Sequence, residues 1–368
     1  MLLTFSGFTQ ELVLGAERTE SYLPIINTKK VAIIANQTSM INQTHLVDSL
    51  LRRGVNVVKV FSPEHGFRGT EDAGAIVENN IDQKTQLPII SLYGLNKKPN
   101  VKQLEKIDIL IFDIQDVGVR FYTYISTLHY IMEAASENNI KVIVLDRPNP
   151  NGHYVDGPIR EDKFKSFVGM HPVPIVHGMT IGEYANMING ENWISNKCDL
   201  TIINMQNYNR NMKYNTPIRP SPNLPNSRSI NLYPSLCLFE GTNISIGRGT
   251  NYPFQHFGAP SLKSDYSFMP KSRKGSKYPK HESLKCFGTD LRFQKSYLNS
   301  LNLDWLIEAY KKFNNKEEFF NSFFDKLAGT DKLRLQIIEG KSSKEIKASW
   351  QKGLNNFKKV RYKYLIYN

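Results

Sequence analysis

The 368-residue chain is 40% hydrophobic and 11% aromatic, a composition that excludes an intrinsically disordered protein and leaves room for one large or two medium domains. No run of about eighteen apolar residues occurs, so we predict no integral membrane span. The net charge of +13 favours anionic partners, but no nucleic-acid-binding motif accompanies it, and we predict no nucleic-acid partner.

Five short apolar segments in the first half of the chain predict buried strands, at residues 31–35, 55–61, 87–92, 107–112 and 141–145. Helical patterns separate them at residues 43–53, 101–106 and 127–138. Continuous apolar strands that alternate with helices are typical of a parallel sheet covered on both faces. The predicted fold class is therefore α/β, with a doubly wound, mostly parallel sheet.

The second half of the chain has a different character. Residues 201–260 are rich in Asn, Pro and Gly, and basic residues concentrate at 271–285 and 341–363. Beyond them we predict helices at residues 304–313, 316–327, 331–339 and 343–359, the last with Ser343 as its N-cap. We place a domain boundary near Asn231.

Polar residues follow several predicted strands directly, at residues 36–38, 62–69, 113–124 and 146–150. In an open α/β sheet the ligand binds in the crevice outside the carboxyl ends of the strands, so we expect these segments to converge there. The chain has no dinucleotide fingerprint, P-loop, zinc motif or nucleophile elbow. Its three cysteines are too scattered for a disulfide framework or a zinc site. We therefore expect no cofactor.

Carboxylates, arginines and tyrosines remain, and these are the groups of a sugar-cleaving site. Glycoside hydrolysis typically needs one protonated carboxylic acid and a second carboxylate as base or nucleophile. Glu64 suits the acid, because partial burial at the end of a strand favours its protonated form. The candidates for the second carboxylate are Asp113, Asp116, Asp146 and Glu240.

Several polar side chains are candidates for substrate contacts. His65 and Arg68 flank Glu64, whereas Arg120, Tyr122 and Tyr124 alternate and would share one side of an extended segment. His177 precedes a helix that Thr180 is predicted to cap, and Asn243 and Arg248 belong to a polar segment after Glu240. Asp146 and Arg147 are candidates both for the site and for a structural ion pair.

The ordered series of these segments resembles the NamZ-type exo-β-N-acetylmuramidases, a bacterial family. The matching segments lie at residues 31–39, 63–69, 113–124, 145–150, 177–183, 220–223, 239–243 and 247–250. Val176 stands where members of the family often have arginine.

The resemblance implies a Rossmann-like catalytic domain at residues 16–230 and a smaller α+β domain at residues 231–368 that completes the cleft. It implies release of terminal N-acetylmuramic acid (MurNAc) from the non-reducing end of peptidoglycan-derived chains, without a cofactor. A secreted or periplasmic location follows, and residues 1–15 would then contain the remnant of a leader peptide.

The resemblance also maps the family's catalytic glutamate onto Glu64, with Glu240 or Asp116 as the second group. MurNAc carries a lactyl carboxylate that a cation must bind. Arg68, Arg120, Arg147 and Arg248 are the candidates. The full set of expected substrate contacts is Asn36, His65, Arg68, Asp113, Arg120, Tyr122, Tyr124, Asp146, Arg147, His177, Asn223, Asn243 and Arg248.

Two other functions remain open from the sequence. The first is a non-catalytic protein that binds peptidoglycan on the same fold, since a fold does not fix a function. The second is a metal-dependent hydrolase that uses Asp113 and Asp116 with Glu64. Both retaining and inverting mechanisms also remain open, because the outcome depends on the separation of the two carboxylates.

Overall fold

The computed structural model describes residues 11–64, 66–67, 80–94 and 96–368. Its first half contains nine strands: β1 Lys30–Ala35, β2 Met40–Ile41, β3 Thr44–His45, β4 Asn56–Ser62, β5 Asn80–Ile81, β6 Pro88–Ser91, β7 Ile109–Asp113, β8 Lys141–Leu145 and β9 Leu200–Ile203. Five helices accompany them: α1 Thr19–Ile26, α2 Leu46–Arg52, α3 Val101–Leu104, α4 Tyr124–Glu137 and α5 Ile181–Gly190.

The five predicted strands are confirmed as β1, β4, β6, β7 and β8, with ends shifted by two residues at most. They join β9 and β5 in a seven-stranded sheet of order β5-β6-β4-β1-β7-β8-β9. Only β5 is antiparallel to its neighbour in this sheet. The order of its six parallel strands reverses at β1, as in a Rossmann fold, and this places a ligand crevice beside the carboxyl ends of β1, β4 and β7.

Both faces of this sheet are buried, as the continuous apolar strands predict. Alternate residues of β1 enter different cores: Ala32 and Ile34 pack on one face, and Val31 and Ile33 on the other. The first of these cores continues into the second half of the chain, as far as Phe357. The C-terminal half therefore packs on one face of the sheet through apolar side chains, the interaction that contributes most to folding.

The second half contains a three-stranded antiparallel sheet of order β10-β12-β11, built from β10 His256–Ala259, β11 Tyr266–Phe268 and β12 Cys286–Asp290. Its helices are α6 Ser227–Leu236, α7 Asp304–Lys312, α8 Phe324–Ala328, α9 Lys332–Ile338, α10 Ser343–Ser349 and α11 Gln351–Tyr362. The predicted boundary near Asn231 falls inside α6.

Two helix predictions in this half are wrong. Residues 316–327 do not form one helix, because their backbone bonds to residues 242–243 instead. The Asn243 amide donates to the Phe319 carbonyl at 2.8 Å, and Thr242 bridges Phe320. Residues 343–359 form α10 and α11, which break at Trp350. The N-cap of α10 is Ser342, not Ser343.

The two ends of the described chain lie against the same region of the large sheet. Val13 bridges Gln206, and the Gly15 amide donates to the Asp146 carbonyl at 3.0 Å. Residues 11–15, assigned above to a leader remnant, thus contact the fold, whereas residues 1–10 lie outside the described part. At the other end, the Tyr367 hydroxyl donates to Asp146 Oδ2 at 2.7 Å. None of the described helices is long and apolar enough to cross a membrane.

Candidate active site

A cavity of about 670 Å³ opens where the carboxyl ends of β4 and β6 meet the C-terminal half. Its volume lies in the range usual for small-molecule sites. Its polar lining includes Glu64, Tyr93, Thr123, Glu240, Arg248 and Lys277, and its apolar lining includes Phe121, Phe167, Tyr233 and Phe323. A recess of about 60 Å³ adjoins it and shares Glu64 and Arg248. Of the four segments expected to converge on a crevice, 62–69 and 113–124 supply lining residues, whereas 36–38 and 146–150 do not.

Glu64 stands two residues beyond the end of β4, half-buried at the junction of the cavity and the recess. The Thr123 hydroxyl lies 3.5 Å from its Oε2. The Tyr93 hydroxyl also bonds to Glu64, and burial followed by the Glu64 charge raises the pKa of Tyr93. Tyr93 therefore stays a hydroxyl donor that holds the glutamate in place.

Glu240 faces the same cavity from a 3₁₀ helix, Cys237–Gly241. Its Oε1 accepts a hydrogen bond from Arg248 Nε at 2.5 Å, which forms an ion pair about a quarter exposed on each side. Among the described residues, Glu240 Oε2 and the two Nη groups of Arg248 have no hydrogen-bond partner. These atoms are left for a ligand.

The Arg248 guanidinium is fixed on a second side by an aromatic ring. It lies 5.2 Å from the centroid of Phe254, which is a cation–π contact. An arginine held by its Nε and by a ring presents its two Nη groups together, in the geometry that binds a carboxylate through two hydrogen bonds.

Lys280 anchors the segment that carries Glu240. Its ammonium donates to three backbone carbonyls, those of Phe239, Thr242 and Ile244. Burial lowers the pKa of Lys280, and the Glu240 charge opposes that shift. Since backbone carbonyls lie on both sides of Glu240, the lysine fixes the 3₁₀ helix and the turn after it.

The recess contains four of the predicted contacts, namely Tyr122, Tyr124, Asn223 and Arg248. Tyr122 and Tyr124 meet edge to face, with ring centroids 4.9 Å apart, and the Tyr122 hydroxyl donates to the Pro220 carbonyl at 2.9 Å. Asn223 lines the recess and donates to the Gly275 carbonyl at 2.7 Å. Asn36 lies behind Tyr124, with its Nδ2 2.9 Å from the tyrosine hydroxyl, and lines neither space.

The structure places Asp113, Arg147 and Asp146 in buried contacts away from the cavity. Arg147 donates to both carboxylate oxygens of Asp113, at 2.5 and 2.9 Å. The structural ion pair thus joins Arg147 to Asp113, not to Asp146 as considered from the sequence. Asp146 instead accepts hydrogen bonds from Thr180, Gly182 and Tyr367.

Arg120 also lies outside the cavity, fully buried, because residues 117–124 turn instead of running extended. Its guanidinium donates to four carbonyls, those of Pro158, Val173, Leu327 and Ala328. It therefore links the two halves of the chain. Its guanidinium is occupied by these carbonyls and does not reach the cavity, where the lactyl carboxylate was expected to bind.

Five further predicted residues remain, and none of the three that the structure describes lines the cavity or the recess. Asp116 is 5% exposed and lines neither space, and burial raises its pKa to about 7. His177 is fully buried, which lowers its pKa to about 3, and it precedes the α5 helix that Thr180 caps as predicted. The Asn243 backbone bonds to Phe319 and His281. His65 and Arg68 lie outside the described residues.

Several lining residues were missed by the sequence analysis, namely Tyr93, Thr123, Phe167, Tyr233, Lys277, Tyr278 and Phe323. They come from elements far apart in the chain, so no local pattern joins them. The one available signal was the basic tract at 271–285, which supplies Lys277, Tyr278 and the anchoring Lys280. Within the described ranges, no group of three or more His, Cys, Asp or Glu could hold a metal ion.

A doubly wound sheet with two glutamates facing a cavity at its carboxyl edge has the pair of carboxylates that a glycoside hydrolase uses. Comparison with known proteins is more specific. Residues 31–228 match the family model for the N-terminal part of the exo-β-N-acetylmuramidase NamZ, and residues 231–367 match the model for its C-terminal part. The chain belongs to the NamZ family of glycoside hydrolases.

Individual relatives agree with this assignment. A Bacillus subtilis protein, peptidoglycan β-N-acetylmuramidase NamZ, is 40% identical over 94% of this chain and 89% of its own length. Crystal structures of two DUF1343 family proteins from Bacteroides fragilis are also similar. One is 48% identical with a TM-score of 0.90 and covers 98% of this chain and 99% of that one. The other is 31% identical with a TM-score of 0.81, covering 97% and 99%.

Proposed function

We propose that the chain is an exo-acting β-N-acetylmuramidase that releases terminal MurNAc from the non-reducing end of peptidoglycan-derived chains, with Glu64 as general acid. The observation that carries this proposal is the shared cavity of Glu64, Glu240 and Arg248. Two carboxylates are the usual requirement for glycoside hydrolysis, and a guanidinium beside them suits a sugar that carries a carboxylate.

Glu240 is our choice for the second carboxylate. Its Oε1 pairs with Arg248, and its Oε2 is left for water or the anomeric carbon. Asp116 is a poorer candidate, because burial raises its pKa to about 7 and it lines neither the cavity nor the recess. Glu64 would protonate the glycosidic oxygen while Glu240 activates water or attacks the sugar.

Arg248 is our choice for the group that binds the lactyl carboxylate. Arg120 is occupied by four carbonyls and Arg147 by Asp113, so neither is free to bind a substrate anion. Arg248 faces the cavity with both Nη groups available among the described residues. N-acetylglucosamine (GlcNAc) has no such carboxylate, which would make Arg248 the residue that separates the two sugars.

We also propose a secreted or periplasmic location. The support is the substrate itself, which is part of the cell wall, and the net charge of +13, which aids encounter with an anionic polymer.

The hydrolysis is tested with para-nitrophenyl β-MurNAc and the matching β-GlcNAc glycoside. We expect nitrophenol release from the MurNAc glycoside and little from the GlcNAc glycoside. Absence of release from both, with tight binding of MurNAc chains by calorimetry, would contradict the hydrolase and favour the glycan-binding alternative.

The role of Arg248 is tested by the affinities for free MurNAc and GlcNAc in wild type, Arg248→Met and Arg248→Lys. A charged hydrogen-bonded contact is worth about 1.5–3 kcal/mol, so Arg248→Met should weaken MurNAc binding by roughly 10- to 100-fold and leave GlcNAc binding unchanged. Arg248→Lys keeps the positive charge but lacks the two Nη groups, and we expect an intermediate affinity for MurNAc. An unchanged ratio of the two affinities in Arg248→Met would contradict this role.

A further inference from the structure

Two exposed aromatic side chains border the cavity, Phe323 at 38% and Tyr278 at 81%, so Tyr278 is by far the more exposed of the two. Two other aromatic side chains of the described residues are exposed to a similar degree, Phe293 at 78% and Tyr362 at 79%, and neither lines the cavity or the recess. Single exposed aromatics need no explanation in general. Tyr278 differs because its ring stands at the mouth of a space that contains two carboxylates.

Tyr278 is carried by a turn that is fixed at several points. The Arg273 and Ser276 backbones bond to each other in both directions, at 3.1 and 2.9 Å. Gly275 has a φ of +87° and approaches Pro222 so closely that a Cβ there would lie 2.6 Å from its ring. The Lys271 amide also donates to the Gly249 carbonyl at 3.0 Å. The backbone that leads into Tyr278 is therefore held by the fold.

The same turn also contacts the segment that carries Glu240. Lys280 lies two residues after Tyr278 and holds the carbonyls around Glu240. Lys277 lies beside the ring, with its Nζ 5.4 Å from the centroid, and forms no ion pair with the described residues. The segment that carries Tyr278 is thus joined to the segment that carries Glu240.

We infer that Tyr278 forms the binding subsite for the leaving sugar, the GlcNAc residue that follows the terminal MurNAc. This inference rests on the proposed function, because an exo-acting enzyme holds the terminal sugar inside the cavity. The rest of the chain must then leave through the mouth, where the ring stands. Pyranose rings present flat arrays of C–H groups, and the face of an aromatic ring carries the negative charge that attracts them.

The test compares two substrates with leaving groups of similar basicity, the disaccharide MurNAc-GlcNAc and methyl β-MurNAc. Tyr278→Ala should lower kcat/KM on the disaccharide by up to about tenfold, the value of a good aromatic contact, and leave the methyl glycoside unaffected. Tyr278→Phe keeps the face of the aromatic ring and should retain the wild-type kcat/KM on both substrates. Tyr362→Ala removes an equally exposed ring that lines neither the cavity nor the recess and serves as the matched control.

Affinity provides a second measurement that needs no hydrolysis. In a Glu64→Gln background, calorimetry should show weaker disaccharide binding after Tyr278→Ala and unchanged binding of the methyl glycoside. Inactivity of the wild type on both substrates would count against the proposed function, and the calorimetric comparison would still decide the role of Tyr278. Equal losses on both ligands, no loss on the disaccharide, or a Tyr278→Phe variant as defective as Tyr278→Ala would overturn the inference.

Discussion

Burial divides the five candidate carboxylates into two groups. Glu64 and Glu240 reach the cavity, whereas Asp113, Asp116 and Asp146 are at most 5% exposed. A buried carboxylate must find a cation or lose its charge. Asp113 has Arg147 as its partner, but burial raises the pKa of Asp116 to about 7, and its Oδ1 has no hydrogen-bond partner among the described groups. The residue type alone could not separate these groups.

The raised pKa of Asp116 predicts a dependence of stability on pH. An unfolded chain releases this proton near pH 4, whereas the folded chain keeps it up to about pH 7. The stability that this group contributes is thus fully present below pH 4 and is lost as the pH rises through 7. Asp116→Asn removes this loss, so the urea midpoint of the variant should rise relative to wild type between pH 5 and pH 8.

The same variant tests the choice of the second carboxylate. Activity on a MurNAc glycoside should survive Asp116→Asn, because the side chain lines neither the cavity nor the recess. Loss of activity without loss of fold would assign the second catalytic role to Asp116. A constant difference between the two urea midpoints across this pH range would contradict the linkage.

At the scale of elements, the Glu240 segment owes its position to contacts from a distant turn. A 3₁₀ helix of five residues has little stability of its own, since such helices are short and their hydrogen bonds are poor. Lys280 supplies the missing constraint by donating to one carbonyl inside the helix, that of Phe239, and to two just after it, those of Thr242 and Ile244. The ion pair with Arg248 completes it.

Lys280→Met should therefore lower both stability and activity. Loss of the ammonium leaves carbonyls without a donor, and we expect the free energy of unfolding to fall by about 2 kcal/mol. The kcat on a MurNAc glycoside should fall as well, because Glu240 is no longer held. Lys280→Arg should recover part of both. Lys274→Met, an exposed residue of the same turn, is the control, and identical behaviour of the two Met variants would contradict the prediction.

The elements were predictable wherever burial alone decides them. The parallel strands are continuous apolar runs because both faces of the sheet are covered, and a local pattern therefore suffices. The helix predicted at residues 316–327 does not form, because Phe319 and Phe320 bond to the segment at 241–243, which is distant in sequence. The break at Trp350 has a similar origin, since its indole donates to Asp156 Oδ1 at 3.2 Å.

At the scale of the whole molecule, the C-terminal tail returns to the first half of the chain. The amides of Ile366 and Tyr367 donate to Glu183, a buried carboxylate that also pairs with Arg210. The Tyr364 hydroxyl donates to Glu191 at 2.6 Å. The tail thus compensates buried charge near α5 and links the two halves, together with the buried Arg120.

Removal of residues 364–368 should destabilise the fold substantially. Several hydrogen bonds to charged groups are lost together, and we expect a decrease of at least about 3 kcal/mol in the free energy of unfolding. Chemical denaturation of the truncated chain measures it. Tyr362→Ala, at an exposed position just before the tail, should change stability by less than about 0.5 kcal/mol. A truncated chain as stable as wild type would show that the tail contacts contribute nothing.

The candidate site was less predictable than the sheet. Glu64, Glu240 and Arg248 were named from their segments and face the cavity, but Arg120, Arg147 and Asp146 were named on the same grounds and lie in buried contacts. A polar residue at a strand end has the same sequence pattern in either role. The position of Tyr278 at the cavity could not be predicted for another reason. Tyr278 reaches the cavity only because the C-terminal half packs against the sheet.

Protonation of the glycosidic oxygen by Glu64 predicts that the effect of Glu64→Gln depends on the leaving group. A sugar departs only when the glycosidic oxygen is protonated as the bond breaks, because its alkoxide is a strong base. The 2,4-dinitrophenolate ion is a weak base and departs without protonation. Glu64→Gln should therefore lower kcat/KM on MurNAc-GlcNAc by about 10²–10⁴. On 2,4-dinitrophenyl β-MurNAc the same variant should lose far less. An equal loss on both substrates would contradict the assignment of Glu64 as the acid.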